Sequence, residues 1–365
     1  VFTDYNQVCR LILTETKMVA FLLGAASSVL LALSSPFSGD TTYTTSTEQY
    51  SSLLNWLNNT FPSSYVSPSI RLSPSPKGGH GAFATEDISE GSLLFSVPKE
   101  ACITSSAVLE DKDCGKAFKT LIENAGPGAI TVSLAGYLTK EYLCHLEGKE
   151  SLYGPYLDTL PWKRGWNGQE HVLFWSKDDV EKYLKDSLCW RESNDLRTEV
   201  RVAKKIINAV IGPSVLVARG EMEEQTPMIP FLGWTTPPPP KITEPISGLG
   251  KALNGAFVIL LTRAFDEIFD EEDGERLVPL LDMLNHDNEP TVTYKTNLEG
   301  AVEVKARHDI KKGDEIYNRY KEEEDMNMPY HRFFSRFGFV PGVEEETKAL
   351  LEDKSSIFFA KKKEV

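Results

Sequence analysis

The stretch LVPLLDMLNHDNEPTVTYKTNLEGAVEVKARHDIKKGDEIYNRYKEEEDMNMPYHRFFSRFGFVPG, Leu277 to Gly342, sets short β-like runs between turn signals and ends on aromatics. Val302 to Ile310 alternates apolar and polar residues, the pattern of a strand with one buried face. A turn at Asn297 to Gly300 precedes it, and Lys312-Gly313-Asp314 separates it from the EIYNRY run that ends at Tyr320. Tyr330 to Phe337 is spaced as a short closing helix. Three places here can carry chemistry. Asp282-Met283-Leu284-Asn285-His286 sets an amide, donor and acceptor at once, beside an imidazole. That suits an adenosyl or amino-acid ligand, and equally a satisfied structural pair. Tyr320, with Tyr317 on the same run, can aim a hydroxyl at an amine or simply pack in the core. Phe333, Phe334, Phe337 and Phe339 crowd four aromatics into seven residues, which ordinarily means core.

Upstream the texture is helical from about Ser105 to Phe269. Lys251 to Ile268 reads as a well-buried helix, and Ile130 to Glu147 carries Leu134, Tyr137, Leu138 and Leu143 on a broad apolar stripe. Ser176 is placed to cap one helix, and Asn194 or Asp195 to start another that ends near Gly212. Pro237 to Pro240 reads as a stiff surface loop. Further back, Ile70 to Ile103 returns to β-like runs, among them Ser92 to Pro98, and Tyr50, Leu53, Leu54 and Leu57 mark a helix after Ser46. Gly78-Gly79-His80-Gly81-Ala82-Phe83-Ala84 lets a backbone approach a ligand closely, or forms a glycine-rich hairpin. It is no dinucleotide fingerprint, because neither the spacing nor a following helix fits. Strands, a helical block and strands again predict one α+β domain with a helical insertion over about residues 105–269.

The 365 residues, 41% apolar, suffice for a substantial core. A net charge of −14 argues against nucleic acid as the main partner, since phosphate binding needs a basic face. Cys9, Cys102, Cys114, Cys144 and Cys189 are scattered with no CxxC pair, so neither a zinc site nor a disulfide framework is expected. Val19 to Leu33, after Met18, fits the apolar core of a signal peptide and is short for a membrane span. Residues 1–45 are therefore expected to be a targeting segment. It would address an organelle such as a plastid or the secretory pathway; without it, the cytoplasm remains. Oligomeric state is not readable.

Taken in order, these features resemble the SET-domain methyltransferases, and among them the class similar to Rubisco large-subunit lysine methyltransferase. The motifs are Gly79-His80-Gly81, Asp282 to His286, Ile310-Lys-Lys-Gly313-Asp314-Glu315-Ile316, Tyr320 and Phe337-Gly338-Phe339. Ser151 to Pro161, Phe174-Trp175-Ser176 and Thr262-Arg263-Ala264-Phe265, read as a helix, match that class as well, so the likeness covers about residues 65–342. It implies a SET-type fold over 46–342 and S-adenosylmethionine as the methyl donor. Gly79, His80, Gly81, Ala82, Asn285 and His286 would hold that cofactor. Arg263, Phe265, Asp282, Tyr294 and Phe337 would line the substrate side, with Tyr320 catalytic and no metal. The expected acceptor is a lysine amine on a protein; a histidine acceptor and an inactive interaction scaffold are the alternatives.

Three features depart from the pattern. Members of this class continue into a helical substrate-binding domain, which residues 343–365 are too few to form, so that domain is expected to be largely missing. Phe337 stands where a tyrosine is common, which points to more than one methyl addition. Glu322 to Asp325 is acidic and reads as a solvated loop.

Overall fold

The computed structural model describes residues 47–126, 128–223, 246–265, 275–320 and 329–339. The expected targeting segment, Cys9, the expected Pro237–Pro240 loop, the acidic run at Glu322–Asp325 and the tail after Gly342 lie outside these residues.

Helix α1 (Thr47–Thr60) buries Tyr50, Leu53 and Leu57 along one face. Four short strands follow: β1 (Tyr65–Val66), β2 (Ile70–Pro74), β3 (His80–Ala84) and β4 (Leu93–Val97). The chain then runs through helices α2 (Ser105–Glu110), α3 (Gly115–Ala125), α4 (Gly128–Leu146), α5 (Gly154–Leu157), α6 (Lys177–Leu184), α7 (Leu188–Ala218) and α8 (Leu249–Arg263). It returns to strands β5 (Ala264–Phe265), β6 (Arg276–Leu277), β7 (Asn285–His286), β8 (Val292–Thr296), β9 (Val302–Ala306) and β10 (Glu315–Asn318), and helix α9 (Tyr330–Phe337) follows. This is a mixed α and β fold of small sheets interrupted by a helical block.

Both four-stranded sheets need strands from either side of that block. One has the order β1-β4-β9-β8 and the other β2-β3-β10-β7, while β5 and β6 form a separate pair. The helical block therefore lies in the chain between the strands that pair in each sheet. Its own core is helix on helix: α4 packs against α8 and α7 through Leu134, Leu138, Ile207, Ile211, Leu253 and Val258, all fully buried. No helix among the described residues is long and apolar enough to cross a membrane. Cys102, Cys114, Cys144 and Cys189 are free thiols.

Ser176 caps α6 as its position predicts, its hydroxyl accepting from the Asp179 amide at 3.0 Å. Two helix boundaries differ from the reading. Helix α7 begins at Leu188, where the Ser187 hydroxyl accepts from the Trp190 amide at 3.1 Å, and it runs through Pro213 rather than stopping at Gly212. Proline removes one backbone donor, but buried Val210, Ile211 and Val215 on either side hold the helix together. Helix α8 stops at Arg263 instead of continuing to Ile268. Ala264 and Phe265 are drawn into extended pairing with Leu277 and Arg276, a long-range contact that overrides the local helical pattern.

Candidate active site

Strand β10 lies antiparallel to β3 and parallel to β7, with Ile316 opposite Ala82, Tyr317 opposite Asn285 and Asn318 opposite His286. The glycine-rich strand, the Asn-His pair and the run to Tyr320 thereby meet on one sheet. The Asn285 side-chain amide donates twice, to the His80 carbonyl at 2.8 Å and to Glu315 Oε1 at 2.7 Å. The other Glu315 oxygen accepts from the Ser75 hydroxyl at 3.0 Å and from the Tyr317 hydroxyl at 3.1 Å. A Cβ on Gly81 would stand 2.4 Å from Glu315 Oε1, so glycine is needed there to admit the carboxylate. Gly78 and Gly79, at φ 99° and 65°, make the turn between β2 and β3. Lys77 on that turn reaches across to Asp287 at 3.0 Å and to the His286 carbonyl at 3.2 Å, its ammonium over the Tyr317 ring.

The residues expected to hold the cofactor divide here. Asn285 and His286 are on the shared sheet. The His80 imidazole turns away and hydrogen-bonds the Tyr50 hydroxyl, fastening α1 to β3, and Ala82 is buried opposite Leu72 and Ile316. Both side chains are buried, and the His80 carbonyl already serves Asn285.

Tyr320 leaves β10 into a wall of rings. Its amide donates to His286 Nδ1 at 3.1 Å and its hydroxyl to the Leu284 carbonyl at 2.9 Å. Its ring centroid lies 5.2 Å from His286, 5.4 Å from Phe337 and 6.4 Å from Phe339. Desolvation pushes the hydroxyl up to about 12, so it stays protonated at neutral pH. Phe333 and Phe337 come from α9, which is docked on the insertion. Buried His171 donates from Nε2 to the Ser335 carbonyl at 2.8 Å and accepts at Nδ1 from the Leu173 amide at 3.1 Å. Burial lowers its pKa to about 4, which keeps it neutral. His331 pairs with Glu192 at 2.8 Å, and Arg336 donates to the Leu261 carbonyl at 3.3 Å.

Beside this wall Arg263 donates to the Asp282 backbone carbonyl at 2.6 Å and stands 3.6 Å from its carboxylate. The Tyr156 hydroxyl donates to Asp282 Oδ2 at 2.9 Å. Burial raises the Asp282 carboxyl to about 6, against the pull of Arg263 and Tyr156. Arg263 Nε and Asp282 Oδ1 are buried and have no hydrogen-bond partner among the described residues. Phe265 meets Tyr294 edge to face at 5.8 Å, one on the β5–β6 pair and the other on β8. No group of three potential metal ligands occurs among the described residues.

Sequence reasoning passed over Glu315, Tyr156, His171 and Phe339 as site residues. Glu315 and Tyr156 lie inside quoted motifs, so their position was visible and their role was not. His171 carried no signal, because its partner is a backbone carbonyl far along the chain.

The SET-domain family model matches residues 79–321. Among curated relatives, N-lysine methyltransferase setd6 of Salmo salar is 28% identical over 254 residues, 66% of this chain and 47% of that protein. The Rattus norvegicus SETD6 is 25% identical over 267 residues, 70% and 48% of the two chains. The chain spans about half the length of these relatives. Among solved structures, the SET domain of LSMT bound to lysine and AdoHcy aligns at TM-score 0.57 and 17% identity over 80% of this chain and 57% of that one. Rubisco LSMT bound to sinefungin and monomethyllysine aligns at 0.57 and 18%, over 80% and 56%. The likeness to solved structures is one of fold, and the family match covers more than half the chain, from the glycine-rich strand to the tyrosine wall: the chain belongs to the SET-domain family.

Proposed function

We propose that this chain transfers a methyl group from S-adenosylmethionine to the ε-amine of a lysine in a protein. One observation carries the reading: Asn285, His286 and Tyr320 meet across β7 and β10, with the tyrosine hydroxyl held inside an aromatic wall. The names of the curated relatives, all N-lysine methyltransferases, favour lysine over histidine as the acceptor.

The residues present fit the cofactor. Its amino-acid end carries an ammonium and a carboxylate, and the site offers a buried unpaired donor on Arg263, a buried unpaired acceptor on Asp282 and the oxygen of half-buried Asn285, whose amide nitrogen is already engaged. When bound, S-adenosylmethionine supplies an electrophilic methyl on a sulfonium. The protein must supply a neutral amine, although a free lysine has a pKa of about 10.4. Phe337, Phe339 and Phe333 disfavour a charged ammonium by excluding water. Tyr320, protonated and fixed at both its amide and its hydroxyl, orients the amine's lone pair without competing for its proton. Alignment of this kind contributes most of the rate expected here.

Calorimetric titration of the purified protein with S-adenosylmethionine tests the reading. Micromolar binding that Asn285→Ala abolishes, followed by label transfer to a lysine peptide, supports it. No binding by a folded protein overturns it and leaves an interaction scaffold.

A further inference from the structure

Asn285 can satisfy a ligand in two opposite ways. Its amide nitrogen would meet an acceptor, its oxygen a donor, and rotation about the last torsion exchanges them. Here the exchange is blocked. The two atoms facing the nitrogen are the His80 carbonyl and a Glu315 carboxylate oxygen, both acceptors, at 2.8 Å and 2.7 Å. Each takes one of the two amide protons, so the nitrogen has none left. Turning the amide would set its oxygen against two oxygens and lose both bonds.

Glu315 is itself over-determined. Oε1 faces Asn285, and Oε2 accepts from Ser75 on the β2–β3 hairpin and from Tyr317 on its own strand. Its carboxylate occupies the space above Gly81, where any side chain would collide with Oε1. Three elements thus converge to hold one carboxylate, and that carboxylate holds one amide. Only the half-buried Asn285 Oδ1 remains, and among the described residues no donor reaches it.

We infer that Glu315 is a positioning residue that locks the Asn285 amide with its oxygen outward, making the site an acceptor for the ammonium of the cofactor's amino-acid end. The inference rests on the proposed use of S-adenosylmethionine. It makes Glu315 act through Asn285, with no contact to the ligand, and it assigns Gly81 to the carboxylate rather than to the cofactor.

Two ligands that differ only in the amino-acid portion isolate the effect: S-adenosylhomocysteine, and 5′-methylthioadenosine, which has a methyl in its place. Glu315→Met keeps length and removes the acceptor. It should weaken S-adenosylhomocysteine about tenfold or more, the scale of a hydrogen bond to a charged group, and leave methylthioadenosine within about twofold. Glu315→Gln keeps an acceptor for Asn285 and a donor for Ser75 or Tyr317, so it should restore binding to within about threefold of the parent. Gly81→Ala, which displaces the carboxylate without altering it, should reproduce Glu315→Met. Equal weakening of both ligands by Glu315→Met, or no weakening, overturns the inference, as does a Gln variant as weak as the Met variant. If the parent protein binds neither nucleoside, it is the methyltransferase reading that fails.

Discussion

One buried polar network in the helical insertion and another beneath Tyr320 are finished to different degrees among the described residues. In the insertion Lys140 is surrounded by carboxylates, hydrogen-bonded to Asp111 and within 3.6 Å of Asp113 and Glu141. Cys114 and its own amide complete Asp111, and Ser151 completes Glu141. Beneath Tyr320, Arg263 and Asp282 each keep a buried atom with no partner among the described residues. A buried polar atom left unpaired costs about 1–3 kcal/mol, so a fold built for stability alone would close both networks. The first network is complete, and the second leaves a buried donor and a buried acceptor unmet.

Lys140→Met probes the closed network and has the largest expected effect. It strands the Asp111 charge in the interior and should cost about 3–5 kcal/mol, read from urea unfolding. A loss under about 1 kcal/mol would show that the cluster is not the insertion's support. Tyr320→Phe should do the reverse. Methyl transfer measured with labelled cofactor should fall roughly a hundredfold while the unfolding midpoint barely moves. A matching loss of stability would make Tyr320 a core residue instead.

The networks should also answer pH with opposite signs. Burial raises the Asp282 carboxyl from 3.8 to about 6, so the unfolded chain ionises first. Stability should therefore decline as pH climbs from about 4 to about 6 and level off above, by on the order of 3 kcal/mol. At Asp111 burial alone would raise the carboxyl, but the hydrogen bonds from Lys140 and Cys114 win and hold it below 3.8. Its contribution is present above that pH and lost as pH falls through the lowered value. In an unfolding series from pH 4 to 7, Asp282→Asn should remove the decline; a variant that keeps the parent's slope would assign it elsewhere. Ser187→Ala has the smallest expected effect, about 1 kcal/mol from the lost cap of α7, with cofactor affinity unchanged in the same titration.

Much of this was readable from the chain. Asn285, His286 and Tyr320 each read equally well as structural residues, and only their order along the chain, through the resemblance to SET-domain methyltransferases, singles them out; the α+β order survives as alternating textures. Glu315 did not stand out, because β10 is buried along nearly its whole length and alternation marks a polar residue there as solvent-facing. The end of α8 was missed for a related reason. Nothing local tells Ala264 and Phe265 to leave a helix; the instruction comes from Arg276 and Leu277, on a strand that follows later. Residues whose role is set by a distant backbone group, as His171 is by the Ser335 carbonyl, leave no mark in their own neighbourhood.

At the turn joining β2 to β3, a side chain on Gly168 of the insertion would come within 2.4 Å of the Gly79 backbone nitrogen, and Gly168 itself sits at φ 75°. The seam between insertion and sheet is one backbone thick at that point. A foreign insertion grafted between the two halves must therefore bring its own side-chain-free residue to the same spot, or lift the hairpin that carries Gly79 and Gly81.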